Sequence, residues 1–351
     1  MTKPDPSAIR AARAETPNAR DRDFAESLGI SEAELVAAHV GHGVTRISAN
    51  PDDLMPQISR LGEVMALTRN ASAVHERVGT YGEYRAGPHA SMVLGDEIDL
   101  RIFPRHWVYG FAIDQETDKG RRRSLQVFDA AGDAVHKVFL RETSELSEWI
   151  DVVGSLMIDD PAQTLDVAER APVEPAKTNP AKSDILLDEW AKLTDTHQFL
   201  RLTSKLGMNR LGAYRMASGG RWVRPLAIDA TDRLIETVSA AGAETILFVG
   251  NQGNIQIHWG GLETVKAMGP WMNVLDPRFN LHLRSDHVAE VYAIEKPTKR
   301  GPAISVEAFD AEGALILQVF GRKTDSDPHG QKWAELVSAL PTLSEVAQCA
   351  V

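Results

Sequence analysis

The sequence predicts an α+β protein built as a tandem structural duplication, each half opening with helices and continuing into a large antiparallel β-sheet, the two halves packed together. Three observations predict it: a gapless internal repeat, helix-start signals ahead of alternating strand patterns in both copies, and a Pro/Ala-rich stretch between the copies.

The repeat comes first because it sets the organisation. Laying Gly62 on Ala243 aligns 62–140 with 243–321 without a gap and pairs roughly 19 identical residues, where average composition gives ~5. The densest match sets Ser124-Leu-Gln-Val-Phe-Asp-Ala-Ala-Gly132 against Ser305-Val-Glu-Ala-Phe-Asp-Ala-Glu-Gly313. It reads as one β-hairpin present twice, with Asp and Gly in the turn. So long a period means a duplicated domain rather than a solenoid.

Helices open each unit. Ser31 with Glu34 makes a capping box after Gly29, and Asp195 with Gln198 predicts the same device, followed by Leu202 and Leu206 and a stop at Gly207. Strands follow: Ile98–Phe103, Ile255–Trp259 and Phe279–Leu283 alternate apolar and polar residues as half-buried antiparallel strands do. Between the copies, 160–180 is rich in Pro and Ala and poor in large apolar residues, which predicts an extended linker. The organisation expected is therefore a first repeat over 1–159, a linker over 160–183 and a second repeat over 184–351.

Composition narrows the function. With 351 residues, 43% hydrophobic and 25% charged, the chain is globular in character and long enough for two cores. Its 38 Lys+Arg against 49 Asp+Glu give a net charge of −11, which disfavours nucleic acid as a partner. No run approaches the roughly 20 apolar residues that span a bilayer, and the first residues lack a signal-peptide core, so the expectation is a cytoplasmic protein without membrane insertion. The single cysteine, Cys349, excludes an intrachain disulfide.

Duplication allows polar residues to be compared between copies. Matching Leu206-Gly207 to Leu28-Gly29 sets Ala19 opposite His197, and the repeat sets His282 opposite Arg101. His197 and Arg101 are thus peculiar to one half each. A histidine in the first turn of a helix capped by Asp195 can project a neutral imidazole toward a metal, although spacing alone fits a surface histidine equally well.

Several stretches are familiar together: Trp190–Phe199, Leu206–Ala217, Leu67–Tyr81, Phe279–Arg284, Lys296–Thr298 and Phe309–Gly313. Across almost the whole chain the sequence resembles the haemin-degrading and haemin-transport family typified by HemS, ChuS and PhuS. The resemblance implies haem bound between the halves, with His197 as axial ligand to the iron, Arg101 facing it from the first half, and Phe103 nearby. It also implies propionate contacts from Arg210, Lys296 and Lys323, and a haem contact at Phe320. The segment Val319–Thr324 departs from the family's pattern, which often has Tyr where Phe320 stands and Arg where Lys323 stands. His75 matches a family segment too, as a possible transient haem contact or a surface residue. His39, His42, His89, His106 and His136 lack partners at metal spacing and read as structural or solvent-exposed.

What the resemblance implies of activity is oxygen-dependent haem degradation with iron release. Haem would be substrate and cofactor at once, and the electron donor and O2 or peroxide would come from outside. The alternative is a haem carrier that takes haem from an importer and delivers it to a separate oxygenase. A third reading, a DNA-binding regulator, rests on Leu28–Ala38 resembling part of a helix-turn-helix, but Glu32 and Glu34 stand where basic residues would be wanted. The sequence leaves the oligomeric state open.

Overall fold

The computed structural model describes residues 3–117, 120–325, 327 and 330–343; Cys349 lies outside them. The chain divides into two compact units that do not follow the sequence halves strictly. One comprises 1–69, 75–171 and 250–257, the other 70–74, 172–249 and 258–351. Each unit therefore contains a short segment from the opposite half of the sequence.

Within the first unit five strands run in the order Val44–Ile47, Tyr109–Thr117, Gly120–Phe128, Ala134–Ser144 and Gly62–Arg69. Within the second, the corresponding order is Val223–Leu226, Glu290–Lys296, Ala303–Phe309, Leu315–Gly321 and Thr245–Gly250. The smaller ladders correspond as well, Asp99–Ile102 with Ser91–Leu94 and Glu83–Arg85 in one unit, Phe279–Arg284 with Trp271–Leu275 and Val265–Met268 in the other. The duplication read from the sequence is thus a duplication of topology. The ladders between these strands are antiparallel.

The predicted twin hairpins share their details. Asp129 Oδ1 accepts from the N–H groups of Ala131 and Asp133, both at 2.9 Å, and Asp310 Oδ1 accepts from Glu312 and Ala314 at 3.0 and 2.8 Å. Gly132 and Gly313 close the turns at φ +81° and +93°, where a Cβ is strained. Both hairpins carry a register shift at the last Phe of the first strand, Phe128 and Phe309.

Not every helix precedes its sheet. Pro51–Ser59 follows the strand Val44–Ile47 and Ala230–Ala241 follows Val223–Leu226, and Trp149–Leu156 and Gln331–Ser338 are the last described α-helices of the two units. Ser31 and Glu34 form the predicted capping box. Asp195 and Gln198 do not. Gln198 Oε1 instead accepts from Thr194 N at 2.9 Å, and His197, not Asp195, occupies the N-cap position of Gln198–Lys205. The reason is local: Asp195 bonds His197 two residues on, an Asx turn that competes with capping. Gly207 ends that helix at φ +73°, as expected.

Residues 160–179 form no helix or strand, yet they are tied down. Arg170 makes a two-pronged contact with Asp133 at 2.6 Å in the first unit. In the second, Lys177 N donates to Asn209 Oδ1 at 2.9 Å while Asn209 Nδ2 donates to Pro175 O at 2.8 Å.

Under the helices at the start of the second unit sits an aromatic cluster of Trp190, Phe199, Tyr214, Tyr292 and Phe309. Phe199 is 1% exposed and packs with its ring centroid 4.5 Å from Trp190 and 5.4 Å from Tyr214. This anchor fixes the beginning of Gln198–Lys205, and with it the residue two positions earlier.

Candidate functional site

His197 stands at that helix entrance with its side chain 94% exposed. Nδ1 lies 2.6 Å from Asp195 Oδ1, and Nε2 has no hydrogen-bond partner among the described residues. The shallow concavity between Ser183–Trp190 and Gln198–Lys205, about 420 Å³, is lined by Lys192, Leu193, Arg201 and Lys205 and does not include His197.

Arg210 is the first residue of Arg210–Ala217, a helix capped by Asn209 Oδ1 on Gly212 N. Its Nη1 donates to Glu307 Oε2 at 3.1 Å. Glu307 is fully buried on the strand Ala303–Phe309 and gathers three more donors on Oε1: Lys296 Nζ at 3.1 Å, Tyr214 Oη at 3.0 Å and Ser305 Oγ at 2.9 Å. Burial by itself would raise this carboxyl, but the Lys296 and Arg210 cations overcome it and hold it at about 2. Lys296 is 4% exposed, donates also to Tyr214 Oη at 2.9 Å, and lies 5.0 Å from the Phe199 ring centroid. Burial pulls its ammonium below the ordinary lysine range.

The structure thus brings Arg210 and Lys296 together, on Glu307. It leaves Arg210 with a quarter of its side chain exposed and encloses Lys296 completely. Phe320 is half-buried and meets Phe248 edge-on at 5.6 Å, while the exposed Lys323 donates to Arg300 O at 2.8 Å.

In the first unit Arg101 lies on Asp99–Ile102, opposite Ile255 and Met92. Its Nη1 is paired with Asp99, two residues back on the same strand face, and donates to Leu100 O at 3.0 Å. With about a third of its side chain exposed, it keeps Nη2 without a partner among the described residues. Phe103 is half-buried just beyond the strand, its N–H donating to Gly253 O at 2.9 Å. His75, expected as a surface residue or transient ligand contact, is instead completely buried, because it points inward from the strand Ala73–Gly79. His136 is buried as well.

Glu307 was not singled out by the sequence reading. The comparison between copies held the signal, since the repeat sets the neutral Gln126 opposite it. The described residues contain no group of three or more His, Cys, Asp or Glu arranged to hold a metal ion, and no described helix is long and apolar enough to cross a membrane.

Comparison with known proteins gives a consistent result. The model of the haemin-degrading HemS.ChuX domain matches twice, over residues 29–156 and 207–340. The hemin transport protein HmuS of Yersinia pestis is 36% identical over 332 residues, 94% of this chain and 95% of its own length. The crystal structure of holo-PhuS, a haem-binding protein from Pseudomonas aeruginosa, superposes with a TM-score of 0.90 at 40% identity, covering 96% of this chain and 98% of PhuS. That of ChuS, an Escherichia coli haem oxygenase, superposes at 0.83 with 30% identity, covering 95% and 99%.

Proposed function

This chain belongs to the haemin-degrading HemS/ChuX family, and from that premise we propose that it binds haem through His197 Nε2 and degrades it oxidatively to release iron. The observation that carries the reading is the state of His197: one ring nitrogen is engaged by a carboxylate, the other has no partner among the described residues, and the side chain is exposed. A neutral imidazole in that state is the donor that haem iron accepts.

When bound, haem supplies both the metal at which oxygen is reduced and the porphyrin edge that is oxidised; reductant and O2 or peroxide come from solution. The protein's own residues have three tasks. His197 holds the macrocycle by its iron. Arg101, whose Nη2 has no partner among the described residues, would supply a fixed cationic donor that stabilises negative charge developing on the reacting oxygen. Arg210 and Lys323 supply charge-assisted contacts to propionates, and Phe103 and Phe320 apolar contact. Lys296 takes a supporting role, since its enclosed ammonium balances Glu307 and so leaves the Arg210 charge available to an anion.

A second reading is favoured by the likeness to PhuS, described as a haem-binding protein: a carrier that would receive haem from an importer and pass it to a separate oxygenase. ChuS, described as a haem oxygenase, supports the catalytic reading. Titration of haemin into the wild type and His197→Ala, followed by the Soret band, tests the shared premise. The variant is expected to bind more weakly with a shifted band; equal affinity and identical spectra would remove His197 from the iron.

A further inference from the structure

Asp195 Oδ1 accepts two hydrogen bonds from a single residue, from His197 N at 2.8 Å and from His197 Nδ1 at 2.6 Å. A carboxylate can only accept, so the second bond places the proton on Nδ1, and in the neutral ring Nε2 keeps its lone pair. The first bond fixes the carboxylate against the backbone from which the ring projects. The same loop is held by Thr194 N on Gln198 Oε1 at 2.9 Å and by Lys299 N on Thr194 O at 3.0 Å. Phe199 locks the helix that follows. In the first copy Pro17 and Ala19 stand at the two positions, so the carboxylate and the imidazole are present together in one half and absent together from the other.

We propose that Asp195 is the positioning residue of the iron ligand: it holds His197 as the Nδ1–H tautomer, aims Nε2 outward as the donor, and strengthens that donor through the hydrogen bond behind it. This rests on the reading of His197 given above. Outer-shell carboxylates on metal-bound histidines act in this way, and their loss typically costs about 10- to 100-fold in affinity. Because the pair is exposed, it adds little to the stability of the fold, so its effect is read at the metal.

The experiment uses the full chain loaded with haemin and reduced with dithionite under anaerobic conditions. The iron–histidine stretching band is followed by resonance Raman spectroscopy, and haem loss by transfer to apomyoglobin. Asp195→Ala is expected to lose haem about 10-fold faster, with the band moved to lower frequency and the apo thermal midpoint unchanged. Asp195→Asn, whose amide oxygen can still accept from Nδ1, is expected to recover most of the retention with an intermediate band. If Asp195→Ala keeps the wild-type band and rate while His197→Ala abolishes the band, the proposal fails and the ligand reading stands. If the band survives in His197→Ala, the ligand reading itself fails and the proposal goes with it.

Discussion

Lys296 Nζ lies 3.1 Å from Glu307 Oε1 in the interior of the second unit, with Tyr214 Oη bonded to both. Removing one member of such a pair strands a buried charge, which typically costs about 3–5 kcal/mol, whereas removing both together costs less. Lys296→Met and Glu307→Gln are each expected to lower the denaturation midpoint strongly, and the double variant to recover part of the loss. The pH dependence has a defined sign. Glu307 is held at about 2, below its ordinary 4.5, so its contribution is fully present above 4.5 and is lost as pH falls toward 2. Additive single-variant losses in a double-mutant cycle would show that the pair is not coupled.

His136 supplies an acid-side dependence in the other unit. Thr68 spends its hydroxyl proton on Gln256 Oε1 at 2.8 Å, so toward His136 Nδ1 at 2.9 Å it accepts, and Tyr81 Oη lies 2.5 Å from Nε2. The ring is neutral and bonded at both nitrogens, and burial depresses its protonation from 6.5 to about 3. The unfolded chain takes up the proton first, so this contribution is complete above pH 6.5 and declines as pH drops from there to about 3. Urea midpoints measured from pH 7.5 to 4.5 are expected to fall in the wild type and to fall less steeply in His136→Gln. Parallel slopes would exclude His136 as their source.

The legible parts of this protein were those that recur. A hairpin written twice with the same Asp and Gly is visible by self-comparison, and so is the imidazole that one copy has and the other lacks. Positions set by long-range packing were not legible. Asp195 looks like a helix cap in sequence because Gln198 follows at the right spacing, and only the loop geometry turns its carboxylate to the imidazole. The family resemblance implies Lys296 as a propionate contact, but its ammonium is enclosed because Glu307, Tyr214 and Phe199 arrive from separate elements. Nor could the repeat show that 250–257 joins the first unit and 70–74 the second, since strand partners in a β-structure are chosen far along the chain.

Gly132 and Gly120 separate backbone strain from packing. Both have positive φ, +81° and +99°, but a Cβ at Gly120 meets nothing within 4 Å while one at Gly132 would sit 2.2 Å from Ser31 Oγ, the hydroxyl that caps Glu32–Ala37. Gly120→Ala is expected to cost about 1 kcal/mol, the price of a left-handed alanine. Gly132→Ala adds displacement of a cap, typically worth about 1 kcal/mol more. Adding Ser31→Gly to Gly132→Ala removes the clash, so the pair is expected to lose less than the sum of the two single variants in thermal denaturation. Equal losses for Gly120→Ala and Gly132→Ala would show that the Ser31 contact yields without cost.

Arg101 discriminates between degradation and carriage. Its pairing with Asp99 holds the guanidinium in place and leaves Nη2 without a partner among the described residues, so on the proposed function it would be a donor fixed before haem binds. Such a donor contributes where negative charge develops during reaction and much less to ground-state binding. In Arg101→Ala, haemin affinity is therefore expected to stay within a few-fold of wild type, while decay of the Soret band with ascorbate and oxygen slows about 100-fold. Arg101→Lys keeps the charge but not the planar fork, and is expected to fall between the two. A wild-type Soret band that persists unchanged under those conditions would favour the carrier. Loss of haemin affinity in Arg101→Ala comparable to that of His197→Ala would instead make the arginine a binding residue, because a group that stabilises only the reacting state cannot weaken the complex that precedes it.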